Sequence, residues 1–168
     1  MTVCLFENGG SHICVIALKN HLLALKKIGG TEAEVLIQTS EAVVALRHVG
    51  QKIVSVGRNG SLVVYKIEGE GLKSIESFKI GSGAINMCAI QNEETIAFSL
   101  EDDTLHLYKG GNRIALGNHG KVSDLIFSSD NELLVTTTSG VLHIIDNMSS
   151  SHSPVRSFPI PGAIAGNT

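Results

Sequence analysis

Tryptophan is absent from this chain, and aromatic residues of every kind make up only 4% of its 168 residues, as two tyrosines and five phenylalanines. Any core must therefore be built from Val, Ile, Leu and Ala rather than from large rings. Cysteine is also scarce. Cys4, Cys14 and Cys88 have no metal-ligand spacing, and an odd count excludes a framework in which every cysteine is bridged within the chain. They read as reduced, small apolar side chains of an intracellular protein, cytoplasmic or nuclear. A basic surplus is missing: 13 Lys and Arg face 16 Asp and Glu, for a formal charge of −3, and Lys26-Lys27 is the only adjacent basic pair. Nothing in that balance supports binding to a phosphate backbone. The most apolar stretch, Ile13 to Leu25, is interrupted by Lys19, Asn20 and His21, which excludes a membrane-spanning segment there. The start, Met1 to Glu7, has no basic region leading into an apolar run, so a secretory signal is not expected. Without that route the triplets Asn59-Gly60-Ser61 and Asn147-Met148-Ser149 carry little weight as glycan acceptors.

Catalytic phrases are missing as well. Gly81-Ser82-Gly83 lacks the third glycine and helix of a dinucleotide cradle, and the chain contains neither a Gly-Lys-Ser/Thr phosphate loop nor a Gly-x-Ser-x-Gly elbow. No cofactor, metal site or catalytic residue is read from the sequence.

What is present is a phrase that occurs three times. It runs Asn59-Gly60-Ser61-Leu62-Val63-Val64-Tyr65, then Asp102-Asp103-Thr104-Leu105-His106-Leu107-Tyr108, then Ser139-Gly140-Val141-Leu142-His143-Ile144-Ile145-Asp146. Each copy is a tight polar turn leading into a β-prone run, and the copies start 43 and 37 residues apart. A period near 40 made of short strands is the signature of a β-propeller, with about four strands to a blade. The turn residues Gly, Asn, Asp and Ser bound each run, and β-branched residues fill it. On this reading residues 41–82, 83–121 and 122–162 are blades, and residues 163–168 begin a further one that is cut short.

The first 40 residues are read as a degenerate or partial blade, with strands at Ile13–Leu18, His21–Lys26 and Ala33–Gln38. A helix is the competing reading, but its apolar stripe from Ile13 turns polar at Asn20 and His21. The expected fold class is thus all-β, an incomplete propeller of about three blades plus a partial one. An unclosed stack leaves apolar faces without neighbours, so a fragment, a truncated product or a half that needs another chain are all expected from it.

The repeats resemble WD40 repeats. Val122 to Asp146 is the best copy, with a first strand ending in a Ser-rich turn and a third strand ending at Asp146. His119 falls where that family has its Gly-His histidine. The departures are clear: Tyr65, Tyr108 and Ile145 stand at the Trp position, Lys66 and Lys109 follow in two copies, and the turn Asp survives only as Asp102. The resemblance covers roughly residues 40–165 and implies a scaffold that binds partners and rarely catalyses.

Under this reading His119 and Asp102 belong to different blades and are not a catalytic pair. His106 and His143 share one phase of the third strand, which leaves open a pH-sensitive pair or two ordinary polar positions. The sharpest acidic cluster is Glu101-Asp102-Asp103. A propeller would place it with Arg58, Asn59, His119 and Lys121 on one rim, either as a contact for a partner or as solvated turns. Ser149 to Pro154 reads as a loop, with Ser153-Pro154 a weaker candidate for phosphorylation. The expected function is a non-catalytic protein-interaction scaffold or a subunit of an intracellular multiprotein complex. Its partners are other proteins, among them a chain or segment that completes the propeller. The alternatives are an accessory subunit of a separate catalytic chain and a propeller-type enzyme. An enzyme needs polar groups at the starts of the innermost strands, and those starts read Ala42-Val43, Ala84-Ile85 and Val122-Ser123.

Overall fold

The structure, a computed structural model, describes residues 2–8, 10–18, 21–29, 35–68, 71–128, 132–146 and 155–161. Lys19, Asn20, Ala33, the stretch from Asn147 to Pro154, Gly162 and residues 163–168, all given a reading above, lie outside them. No described residue is helical. Sixteen described strands form four antiparallel four-stranded sheets, each a simple meander. The fold class is therefore the all-β, propeller-type class that the repeat implies. The chain divides into two compact units, Met1–Ser82 and Gly83–Thr168.

The first unit holds two sheets. One consists of β1 (Thr2–Asn8), β2 (Ser11–Leu18), β3 (Leu22–Lys27) and β4 (Val35–Gln38). The other consists of β5 (Val43–Val49), β6 (Lys52–Gly57), β7 (Ser61–Glu68) and β8 (Gly71–Lys79). The sequence reading named three strands before residue 40. The structure adds a fourth, β1, joined to β2 through Gly10 at φ 75°. Where a helix competed, β2 and β3 pair antiparallel, from Ile13 with Lys27 to Leu18 with Leu22. β1 and β5 lie side by side, with the Thr2 hydroxyl donating to the Val44 carbonyl at 3.2 Å. The core is laid down with period two. Cys4 and Phe6, Ile13 and Val15, and Leu23 and Leu25 pack against Ile53 and Tyr65 of the second sheet.

The second unit repeats the plan with β9 (Ile85–Asn92), β10 (Thr95–Leu100), β11 (Thr104–Lys109) and β12 (Asn112–Asn118) in one sheet. Its other sheet is β13 (Val122–Phe127), β14 (Leu133–Thr137), β15 (Val141–Ile145) and β16 (Val155–Pro159). β9 lies beside β13. Leu105 and Leu107 face Leu125, Leu133, Val135 and Ile145 in the core, with Ala89 and Ala97 as small spacers. A register shift recurs near the start of the inner hairpin in three sheets, at Val43/Ala45, Ser99/Leu100 and Val122/Asp124. Such bulges bend the strand as it enters the sheet from the preceding link.

Candidate interaction surfaces

In the first unit the β6–β7 turn is built by its own sequence. The Asn59 carboxamide oxygen accepts from the Ser61 amide at 2.9 Å, and Gly60 takes φ 80°. The Arg58 amide donates to the Ala42 carbonyl at 2.8 Å, which holds this turn beside the link into β5. Lys79 Nζ donates to the Asn59 carbonyl at 3.0 Å.

In the second unit the equivalent turn carries Glu101, Asp102 and Asp103. The Asp102 carboxylate accepts from the Thr104 amide at 3.0 Å and from its hydroxyl at 2.6 Å. These bonds hold its pKa below the usual carboxylate range. Asp103 sits in the left-handed region at φ 63°. The Glu101 amide donates to the Ala84 carbonyl at 3.1 Å, and Thr104 pairs with Asn118, so the acidic turn and the link holding His119 and Lys121 occupy the same end of this sheet. Arg58 and Asn59 in the first unit and Glu101, Asp102 and Asp103 in the second thus fall in equivalent turns, each taken within its own unit, and His119 and Lys121 lie in the link after β12.

His106 and His143 do not pair with each other. His106 is engaged within its own sheet: Arg113 Nε donates to its Nδ1 at 3.3 Å, Arg113 Nη2 and the Thr104 hydroxyl each lie 2.9 Å from its Nε2, and the ring stacks on Phe98. Burial first and the Arg113 charge second hold its pKa below the ordinary value, against a smaller pull from Asp102. The pair that forms is His119 with His143, their ring centroids 5.1 Å apart. His119 Nε2–H donates to the Leu116 carbonyl at 3.0 Å, and His143 Nδ1 lies 2.8 Å from the Ser157 hydroxyl. His119 and Asp102 each serve their own surroundings.

At the family-like positions, Tyr65 and Ile145 are buried core residues and Tyr108 is half-buried. Burial pushes the Tyr65 hydroxyl up, opposed by a hydrogen bond with Ser55. Asp146 makes a bidentate contact with Arg156, at 2.8 and 3.1 Å, and Arg156 also reaches Glu132 at 2.6 Å. That exposed triad had no local sequence signal, because its members lie 10 and 24 residues apart. Among the described residues no cluster of three metal-ligating side chains occurs, and all three cysteines are free thiols.

Two apolar sheet faces are open. On the first sheet of the first unit, Val3, Leu5 and Leu18 point away from the core and are exposed, Leu5 by 62%. On the last sheet of the second unit, pairing puts Ile126, Leu134, Ile144 and Arg156 in one row and Asp124, Thr136, Leu142 and Phe158 in the next, on the face opposite Leu133 and Val135. Ile126 is 59% exposed and Phe158 47%. The alternation that buries one side of these strands leaves the other side uncovered, largely apolar at Val3, Leu5 and Leu18, and on the last sheet apolar around Ile126 and Phe158 with the Arg156 ion pairs beside them.

No family model and no curated protein matches this chain. Solved structures do. A crystal structure of BBS1N in complex with ARL6DN, soaked with lead, superposes with a TM-score of 0.64 at 16% identity, covering 84% of this chain and 46% of that one. A mercury-soaked crystal of the same complex gives 0.68 at 14% identity, covering 95% and 54%. The likeness is one of fold, and this chain spans about half the length of those structures.

Proposed function

We propose that this chain is a WD40-like, non-catalytic interaction module that works inside the cell, in cytoplasm or nucleus, as a subunit of a multiprotein complex. The observation that carries the reading is the pair of open apolar faces, around Leu5 and around Ile126 and Phe158. Within each unit the sheets join by laying Leu, Val and Ile faces together, and the open faces offer the same chemistry. The partner that fits them is a protein presenting an apolar sheet face of its own, a further blade in effect. Leaving such faces in water forgoes roughly 25 cal/mol per Å² of apolar surface. The protein partner in the BBS1N crystals supports the same class of partner. The acidic turn at Glu101–Asp103, with Lys121 and His119 at the same end, is a second, polar contact region. The Ala42-Val43, Ala84-Ile85 and Val122-Ser123 starts offer no acid, base or nucleophile pair, which favours the module over a propeller-type enzyme.

The test compares tagged wild type with Leu5→Glu/Phe158→Glu and with Glu101→Lys/Asp103→Lys, captured from cells, with retained proteins quantified and folding checked by circular dichroism. A defined protein retained in stoichiometric amount by wild type, lost with the face variant and weakened with the charge reversal, is expected. Equal retention by all three chains removes the proposal.

A further inference from the structure

Between its two sheets the first unit contains a hollow of about 230 Å³. Its origin can be followed residue by residue. Strand pairing aligns Ser55 with Val63 and Val63 with Ser77 on the face of the second sheet that looks toward the first. Tyr65 and Ser74 form the next row of that face. Toward Ile53 the face is apolar and the sheets touch. Toward Ser55 it turns to hydroxyls, and the covering strand β4 is only four residues long against nine in β8.

The second unit shows what fills the same place there. Its row reads Val135, His143, Ser157, and the ring of His119, the first residue after β12, packs at a tilt against His143. In the first unit the residue after β4 is Thr39 and the central residue of the row is Val63. Two small side chains stand where two imidazoles meet. The Thr39 hydroxyl turns back onto the Glu41 carbonyl at 2.8 Å instead of reaching across. The void therefore follows from sequence and register.

Its chemistry narrows what it can hold. Pockets for drug-sized ligands and cofactors run about 300–1,000 Å³, so this one is sized for a single side chain. The lining supplies hydroxyls from Thr39, Tyr65 and the serines at 40, 55, 61, 74 and 77, the Gln38 carboxamide, one carboxylate, Glu41, and no cation. Val43 and Val63 give an apolar wall for an alkyl stem. We propose that this hollow receives the side chain of a lysine, presented by an extended segment of a partner protein, with its ammonium set among the hydroxyls and the Glu41 carboxylate. The proposal rests on the interaction-module reading only in taking a protein as the source of the lysine.

The test is an amide-shift titration of the full chain with the peptide acetyl-Ala-Lys-Ala-amide and its norleucine counterpart, which lacks the ammonium. Saturable shifts at Ser55, Gly57 and Ser77 with the lysine peptide alone are expected. Glu41→Gln should weaken binding about fivefold, the scale of one exposed charge pair. Thr39→His/Val63→His, which rebuilds the packing of the second unit, should abolish it. Equal shifts from the norleucine peptide, no shifts from either peptide, or an unchanged affinity in Glu41→Gln overturn the assignment. The Glu41→Gln result decides even if the double variant fails to fold. Because no partner protein enters the titration, its failure leaves the open-face proposal standing, and failure of capture from cells leaves the pocket standing.

Discussion

His119 and His143 meet with ring centroids 5.1 Å apart and planes tilted by 49°, one from the link after β12 and the other from the middle of β15. Burial is the larger cause holding the His143 pKa below 6.5, and the His119 charge adds to it, while a hydrogen bond to the His119 backbone works the other way. His106 is held low by burial and Arg113, and His48, stacked on Phe6 at 4.2 Å, by burial.

These three shifts share a sign. A base whose pKa is lower folded than unfolded binds fewer protons in the folded state, so stability rises with pH across that window. The penalty is absent well above 6.5 and grows as the pH falls toward the folded pKa values. We expect the urea midpoint to drop between about pH 7.5 and pH 5.5, a range in which histidine is the side chain that titrates. His143→Asn should flatten that drop. A midpoint independent of pH over this range contradicts it.

Gly60 tests the turn chemistry. At φ 80° a Cβ placed there would lie 2.6 Å from the Gly81 carbonyl oxygen, whereas at Gly110, φ 53°, it would meet open space. Gly110→Ala should cost about 1–2 kcal/mol, the left-handed penalty alone. Gly60→Ala should cost more, because backbone must also move. Chemical denaturation of the two variants compares them directly, and equal midpoints would show that the turn yields without resistance.

Phe98 combines three roles. It is fully buried, it stacks on His106 with centroids 5.5 Å apart, and the Arg113 guanidinium lies 5.6 Å over its ring. Phe98→Ala should lower stability by about 3–5 kcal/mol through the cavity it leaves. Phe98→Leu, closer in volume, should cost less than about 1.5 kcal/mol. A histidine titration followed by NMR should show the His106 pKa moving up toward 6.5 in the alanine variant as burial is relieved.

The turns were the most legible part of the sequence. Asn59-Gly60, Asp102-Asp103 and Ser139-Gly140 announce themselves through residues that tolerate the left-handed region, and each precedes a strand at the position read. β1 was not legible, because Val3, Cys4, Leu5 and Phe6 are apolar on both faces and show no alternation to betray a strand. The histidine pair was half legible. His143 stood out by its phase, but its neighbour comes from the link 24 residues earlier, not from the matching strand position at His106. The hollow beside Thr39 could not be read from composition at all. It becomes visible only when register places Val63 where the other unit has His143.

Leu5 and Phe6 are adjacent in sequence and opposite in environment, 62% and 8% exposed. In the isolated chain Phe6→Ala should cost about 3–5 kcal/mol, because it removes a ring packed in the core of the first unit. Leu5→Ala should stay within about 0.5 kcal/mol, as surface changes do. With a partner sheet seated on β1, this ordering changes. Leu5→Ala should then lower the stability of the complex while leaving that of the free chain alone. Melting each variant with and without the captured partner separates the two cases. A Leu5 effect of the same size in both samples would place that side chain in the chain's own core and withdraw the β1 face from the list of binding surfaces.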